Sequence, residues 1–242
     1  MDEGTPMVRR EFLTTQWSVV LQARNPRESQ AAGALETLCR SYWFPLYAHV
    51  RRQGQSPADA QDTTQAFFAR VLERRTLELA DRERGRFRSF LLASLRHFMA
   101  DERDRVTAWK RGGRVQHVPL DPTAAECQLE QEGLAQGADE LGYDRAWARS
   151  VLERVRERLR TEADAGSRRA LFDALHPEGG GELESYEVIG SRLGMSEGAV
   201  KLAAFRLRQR YRDLIREEVA QTVADPGEVD DEIRHLLRVL GG

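Results

Sequence analysis

Cysteine is scarce in this chain. Cys39 and Cys127 are the only two in 242 residues, and they lie far apart with no CxxC spacing. They allow one disulfide at most, and reduced thiols are the expected state. Histidine is thin as well: His49, His97, His117, His176 and His235 are scattered, which argues against a zinc site. No apolar run approaches the ~18 residues of a membrane span, and the charged opening MDEGTPMVRREF lacks the apolar segment of a signal peptide. Net charge is nearly absent, with 37 Lys and Arg against 39 Asp and Glu for a total of −2. These absences predict a soluble cytoplasmic protein with no membrane span, no metal and no other cofactor. The length accommodates one large domain or two small ones, each able to bury a core.

What the chain does have is helical periodicity and charge that is segregated rather than mixed. Residues 35–54 read as a helix containing Pro45. Residues 56–75 read as a second, with Ser56 as N-cap and Pro57 at the first helical position. Residues 85–111 form a long third, closed by Gly112 and Gly113. From Val118 to Asp144 the character changes. Asp121, Glu126, Glu130, Glu132, Asp139, Glu140 and Asp144 bring acid without a local basic partner, among Pro119, Pro122, Gly133, Gly137 and Gly142. That composition predicts an acidic linker. Helical patterning resumes over 145–163 and 168–177, and a short helix over 228–240 ends the chain. The expected fold is all-α: a helical domain over 10–117, the linker over 118–144, a second helical domain over 145–222 and a tail over 223–242.

Within the second domain, GMS at 194–196 reads as the turn of a helix-turn-helix. Gly194 permits a positive φ, and Ser196 is a natural N-cap. Val200, Ala204, Leu207 and Tyr211 recur as one buried stripe, while Glu197, Lys201, Arg208 and Arg212 turn outward, joined by Arg206, Arg210 and Arg216. A buried stripe backed by charge of one sign suits a phosphate-facing recognition helix. The plainer reading is a solvated basic face on a bundle helix. Leu202 and Phe205 fall on the outward side, where they could meet thymine methyl groups or pack beneath another element.

The first domain carries two further patterns. In the second helix, Ala60, Thr64, Phe67, Phe68, Val71 and Leu72 share a face, with Asp59, Asp62 and Glu73 opposite and Gln65 at the border. The acidic side is either simply solvated or a docking surface for a basic partner. Before and along the third helix, Arg82, Arg84, Arg86 and Arg88 interleave with Phe87 and Phe90, and His97, Asp101 and Arg105 step along one face toward Trp109, Lys110 and Arg111. Cations beside rings suit single-stranded nucleic acid, although core is the expected place of Phe87, Phe90 and Phe98.

In order and spacing these stretches resemble the extracytoplasmic-function sigma factors, all-helical subunits that direct bacterial RNA polymerase to promoters. The resemblance spans roughly residues 12 to 220. DAQDTTQAFFARVL is similar to the family's core-polymerase-binding helix through Asp59, Asp62, Gln65 and Phe68, with Ala66 where Glu is frequent. FRSFLLASLRHFMADERDR is similar to the stretch that melts and reads the −10 element, with Phe90 in place of a frequent Trp and His97 in place of a frequent Asn. SYEVIGSRLGMSEGAVKLAAFRLRQRYR is similar to the −35-binding helix-turn-helix through Tyr186, Ile189, Leu193, Gly194, Ser196, Val200, Lys201 and Leu207, with Leu202-Ala203 where Ser-Arg is frequent. The opening FLTTQWSVVLQA and the tail resemble a subset of these factors.

The resemblance implies a non-enzymatic protein with three contact sets. Asp59, Asp62, Gln65 and Phe68 would meet core RNA polymerase at its β′ clamp, the second domain meeting the β flap. Arg86, Arg88, Arg96, His97, Asp101, Arg105, Trp109 and Lys110 would meet the −10 element. Ser196, Glu197, Lys201, Leu202, Phe205, Arg206, Arg208 and Arg212 would meet the −35 element. The linker acids would imitate RNA charge in the polymerase channel, and a regulator such as an anti-sigma factor is a possible further partner. Two alternatives stand beside this. A stand-alone helix-turn-helix regulator would have no use for the Asp59/Asp62 face, and a nuclease would need a carboxylate cluster, to which Asp101, Glu102 and Asp104 come nearest.

Overall fold

The structure is a computed structural model and describes residues 29–73, 86–106, 122–132, 139–165, 168–175, 184–223 and 225–241. The described residues form nine α-helices, one short 3₁₀ turn and no strand. The helices are α1 (Ser29–Arg52), α2 (Pro57–Glu73), α3 (Phe87–Val106), α4 (Pro122–Glu132), α5 (Glu140–Ala165), α6 (Arg169–Leu175), α7 (Tyr186–Leu193), α8 (Glu197–Ala220) and α9 (Val229–Gly241). None of them is long and apolar enough to cross a membrane. The expected all-α class holds. The opening segment, Arg82, Arg84, Trp109 and Lys110 lie outside the described residues, as does the side chain of Arg105.

The 26-residue helix α5 organises the molecule. Tyr143, Trp147, Val151, Val155, Leu159 and Ala163 follow one another at intervals of four, and every one is buried. At 100° per residue such a stripe winds slowly around its helix, so its first and second halves face directions about 120° apart. The first half joins a large core with Tyr42, Leu46 and Tyr47 of α1, Phe67 of α2, Phe87, Leu91 and Leu95 of α3, and Leu236 and Val239 of α9. The second half joins a smaller core with Phe172 of α6 and Leu214 of α8.

Two expectations about residues 118–144 are corrected here. Residues 122–132 are helical, with Ala125 and Leu129 buried one turn apart. Glu126 accepts from Arg51 Nε at 2.7 Å and from Tyr47, which fixes α4 on α1. Helix α5 starts at Glu140, ahead of the expected 145, because the Asp139 carboxylate accepts the Gly142 N–H at 2.8 Å and caps the first turn. Two acids of this region find partners across space, Glu126 in α1 and Asp144 in α3, while Asp139 finds its partner locally at the start of its own helix. The large core draws on both sides of the 118–144 segment.

Candidate nucleic-acid interface

The helix-turn-helix is built as its sequence predicts. Ser185 caps α7 by accepting from Val188 N–H, and Ser196 caps α8 by accepting from Ala199 N–H. Between them Gly194 stands at φ 66°, in the left-handed region that favours glycine. Gly190 is the less obvious requirement. A Cβ there would come within 2.7 Å of the Met195 carbonyl oxygen, so only glycine lets the turn close against α7. Ile189, Val200 and Ala204 are buried together, with Leu207 partly buried against them, and this small core sets the angle between the two helices.

On the outer side of α8, Glu197, Lys201, Leu202, Phe205, Arg206, Arg208 and Arg212 are all exposed. Leu202 is 49 % and Phe205 55 % accessible. They are therefore exposed on the outer side of α8 and not packed beneath another described element. Leu202 and Arg206 also border an apolar cavity of about 730 Å³ between α5, α6 and α8, which Ala203 helps to line. Arg208 donates to the Tyr186 hydroxyl at 2.6 Å, bracing α8 on α7, while Lys201 pairs with Glu197 at 2.6 Å.

Two of the arginines grouped with this face belong elsewhere. Arg210 pairs with Glu162 of α5 at 2.7 Å and with Glu217 at 2.9 Å, and Arg216 pairs with Asp230 of α9 at 2.7 Å. Arg158 and Arg154 of α5 reach Glu218 of α8, so a ladder of charges locks α8 to α5. The cations left facing outward are Lys201, Arg206, Arg208 and Arg212.

The α2 face divides. Ser56 and Asp59 exchange hydrogen bonds at the helix start, a capping arrangement that the Ser-Pro sequence announces. Asp59 and Asp62 are exposed. Gln65 and Phe68 are buried, which corrects their expected place on a docking surface: the apolar stripe of α2 is wide enough to carry both inward. Of the four, only the two carboxylates are exposed.

In α3, Arg96, His97 and Asp101 are exposed, and Asp101 accepts from Arg70 of α2 at 2.7 Å. Phe87 and Phe98 are core, and Phe90 packs against it. Arg88 is the clear correction. It is 3 % accessible, with its guanidinium 4.5 Å over the Trp147 ring and its Nε 2.9 Å from Asp144. It also pairs with Glu232 of α9, whose other oxygen lies 2.9 Å from Arg86 Nε. His235 of α9 lies 2.8 Å from the second oxygen of Asp144. Burial holds this imidazole below its ordinary range, with Arg88 adding to the effect and Asp144 opposing it. A neutral imidazole donating to the carboxylate fits that environment.

Neither a protein-family model, nor a curated protein, nor a solved structure matches this chain.

The chemistry available is therefore that of the residues themselves. Among the described residues, no three His, Cys, Asp or Glu side chains gather in a way that could hold a metal ion. The groups that do converge outward are the four cations and two apolar side chains of α8, suited to phosphates and thymine methyls. The feature that sequence reasoning missed is the four-membered charge cluster of Arg86, Arg88, Asp144 and Glu232. Its members stand up to 146 positions apart along the chain, from Arg86 to Glu232, and no local pattern links them.

Proposed function

We propose that this chain is a transcription-initiation subunit of the extracytoplasmic-function sigma type, acting by assembly rather than by catalysis. The observation that carries the reading is the recognition helix α8. Its N-terminus is capped and braced, and its outer face offers Lys201, Leu202, Phe205, Arg206, Arg208 and Arg212 to a groove. In this reading α8 lies in the major groove of the −35 duplex. Phosphate contacts fix its register, and the two apolar side chains favour thymine. Asp59 and Asp62, exposed at the start of α2, meet basic residues of the polymerase clamp. The exposed Arg96 and His97 of α3 face the opened −10 strand, where capture of an unstacked base offsets the few kcal/mol of unstacking.

Run-off transcription tests this directly. Bacterial core polymerase with this protein should initiate at discrete sites on genomic fragments from the source organism, and core polymerase alone should not. A second reading, a stand-alone helix-turn-helix regulator, is favoured by the burial of Gln65 and Phe68 and by the large core that joins both halves of the chain. It requires tight duplex binding without polymerase and no transcript in the run-off assay.

A further inference from the structure

The C-terminal helix α9 sits on the arginines at the start of α3. Glu232 is 1 % accessible, and its two carboxylate oxygens form ion pairs with different guanidiniums: one lies 2.9 Å from Arg86 Nε without hydrogen-bond geometry, and the other lies against Arg88. Two arginines dividing the oxygens of one anion is also how a backbone phosphate is held. With α9 in place the cluster balances, Arg86 and Arg88 against Asp144 and Glu232. With α9 away, the two arginines face Asp144 alone, and a net positive patch opens beside the first turn of α3.

The helix is fastened from one side. Val229, Leu236 and Val239 are buried against α5 and α8, and Arg145 Nε donates to the Val239 carbonyl at 3.0 Å. The opposite side, with Leu237 at 61 % accessibility, faces solvent. A buried carboxylate is a costly way to fasten a helix, because desolvation offsets much of what the ion pairs contribute. An apolar residue at 232 would avoid that desolvation but would leave the buried Arg88 with Asp144 as its only carboxylate, so Glu232 both holds α9 and neutralises the two arginines.

The geometry points to an autoinhibitory helix, in which Glu232 occupies a phosphate-binding site formed by Arg86 and Arg88 and keeps nucleic acid off α3 until α9 is displaced. The inference rests on the reading of α3 as a nucleic-acid face but not on polymerase. In the free protein, single-stranded DNA and α9 compete for the same two guanidiniums.

The test is binding of a fluorescent single-stranded oligonucleotide to the full chain without polymerase, over a salt series. Glu232→Gln should bind about tenfold more tightly, and its log K should fall more steeply with log salt by about 1, as one or two new phosphate contacts require. Adding Arg86→Ala should erase the gain. A folded E232Q protein with unchanged affinity and unchanged salt slope overturns the proposal. Leu236→Ala loosens α9 from its apolar side and leaves every charge in place. It should show the same gain, and if E232Q does not fold, unchanged binding by a folded L236A protein overturns the proposal in its place. Tighter binding by these variants in a protein that gives no run-off transcript would keep the autoinhibitory helix and discard the initiation-subunit reading alone.

Discussion

Arg88 and Trp147 lie 59 positions apart, and the guanidinium of one rests 4.5 Å above the indole of the other, with both side chains buried. A cation enclosed by an indole face and two carboxylates is a structural element, and its loss should register in stability before anything else. Arg88→Ala should destabilise the protein by about 3 kcal/mol, because the buried Asp144 and Glu232 lose their shared cation and keep only His235 and Arg86 as partners. Urea unfolding followed by far-ultraviolet circular dichroism measures this. A change under 1 kcal/mol would mean that Arg88 is not held as described.

The turn between α7 and α8 should tolerate no side chain at Gly190. Gly190→Ala places a methyl within 2.7 Å of the Met195 carbonyl oxygen, and the helices must part to make room. The expected cost is about 1–3 kcal/mol in thermal stability, together with weakened duplex binding. Wild-type duplex affinity in this variant would show that the turn relaxes at no cost to function.

Cations on α8 should separate by partner. Arg212→Ala removes an outward charge and should lower the salt slope of duplex binding by about 1. Arg210→Ala should leave that slope unchanged and reduce stability instead, because Glu162 and Glu217 lose their shared cation. Phe205→Ala should alter the preference among duplex sequences without altering the slope. A uniform loss on all sequences would make α8 a phosphate anchor rather than a reader.

How far the sequence could be read varied with the range of the interaction. The caps at Ser56 and Ser196 and the αL glycine at 194 are local signals and appear where the residue pattern places them. Of the expected buried stripe, Val200 and Ala204 are buried, whereas Leu207 and Tyr211 are only partly so and Tyr211 packs on the other small core. The tail shows the limit: Val229, Ile233, Leu236, Leu237 and Leu240 fall on one side of a helical wheel, yet while Val229 and Leu236 are buried, Leu237 is exposed and Val239 is buried in its stead. A helical wheel cannot settle that choice, since it turns on where α5 and α8 present their surfaces. Residues 118–144 were misleading for the same reason. Glu126 and Asp144 look unpartnered until α1 and α3 bring Arg51 and Arg88 to them.

Acid should weaken the fold through His49. This side chain is buried in α1 with its pKa pushed down to about 4, chiefly by burial, with Arg96 and Arg52 adding to the effect. Unfolding returns it to its ordinary 6.5, so between these values the unfolded chain binds the extra proton. The contribution is fully present above pH 6.5 and is lost as pH falls toward 4, at up to about 1.4 kcal/mol per unit. Denaturation curves at pH 7 and pH 5 for wild type and His49→Gln should differ in how much stability acid removes, with the variant losing less. Equal losses would assign acid sensitivity to other groups.

A polymerase contact at α2 should depend on charge and not on the buried Gln65 or Phe68. Asp62→Arg should weaken binding to core polymerase about tenfold with no change in melting temperature. Undiminished binding would remove the exposed carboxylates of α2 from the interface.

The unbroken run of α5 fixes a phase as well as a distance. Its 26 residues span about 39 Å; α1, α3 and α9 pack on its first half, and α8 packs on its second half through Leu214 while reaching the first core through Val219. One residue inserted between Val151 and Val155 would turn the second core about 100° around that axis relative to the first, setting Leu214 of α8 against its own Val219. Seven would return the second core almost to its original bearing, about 10 Å farther out. Under the proposed initiation reading, DNA templates with graded separation between the elements met by α3 and α8 should show one preferred spacing, because both helices are held on α5.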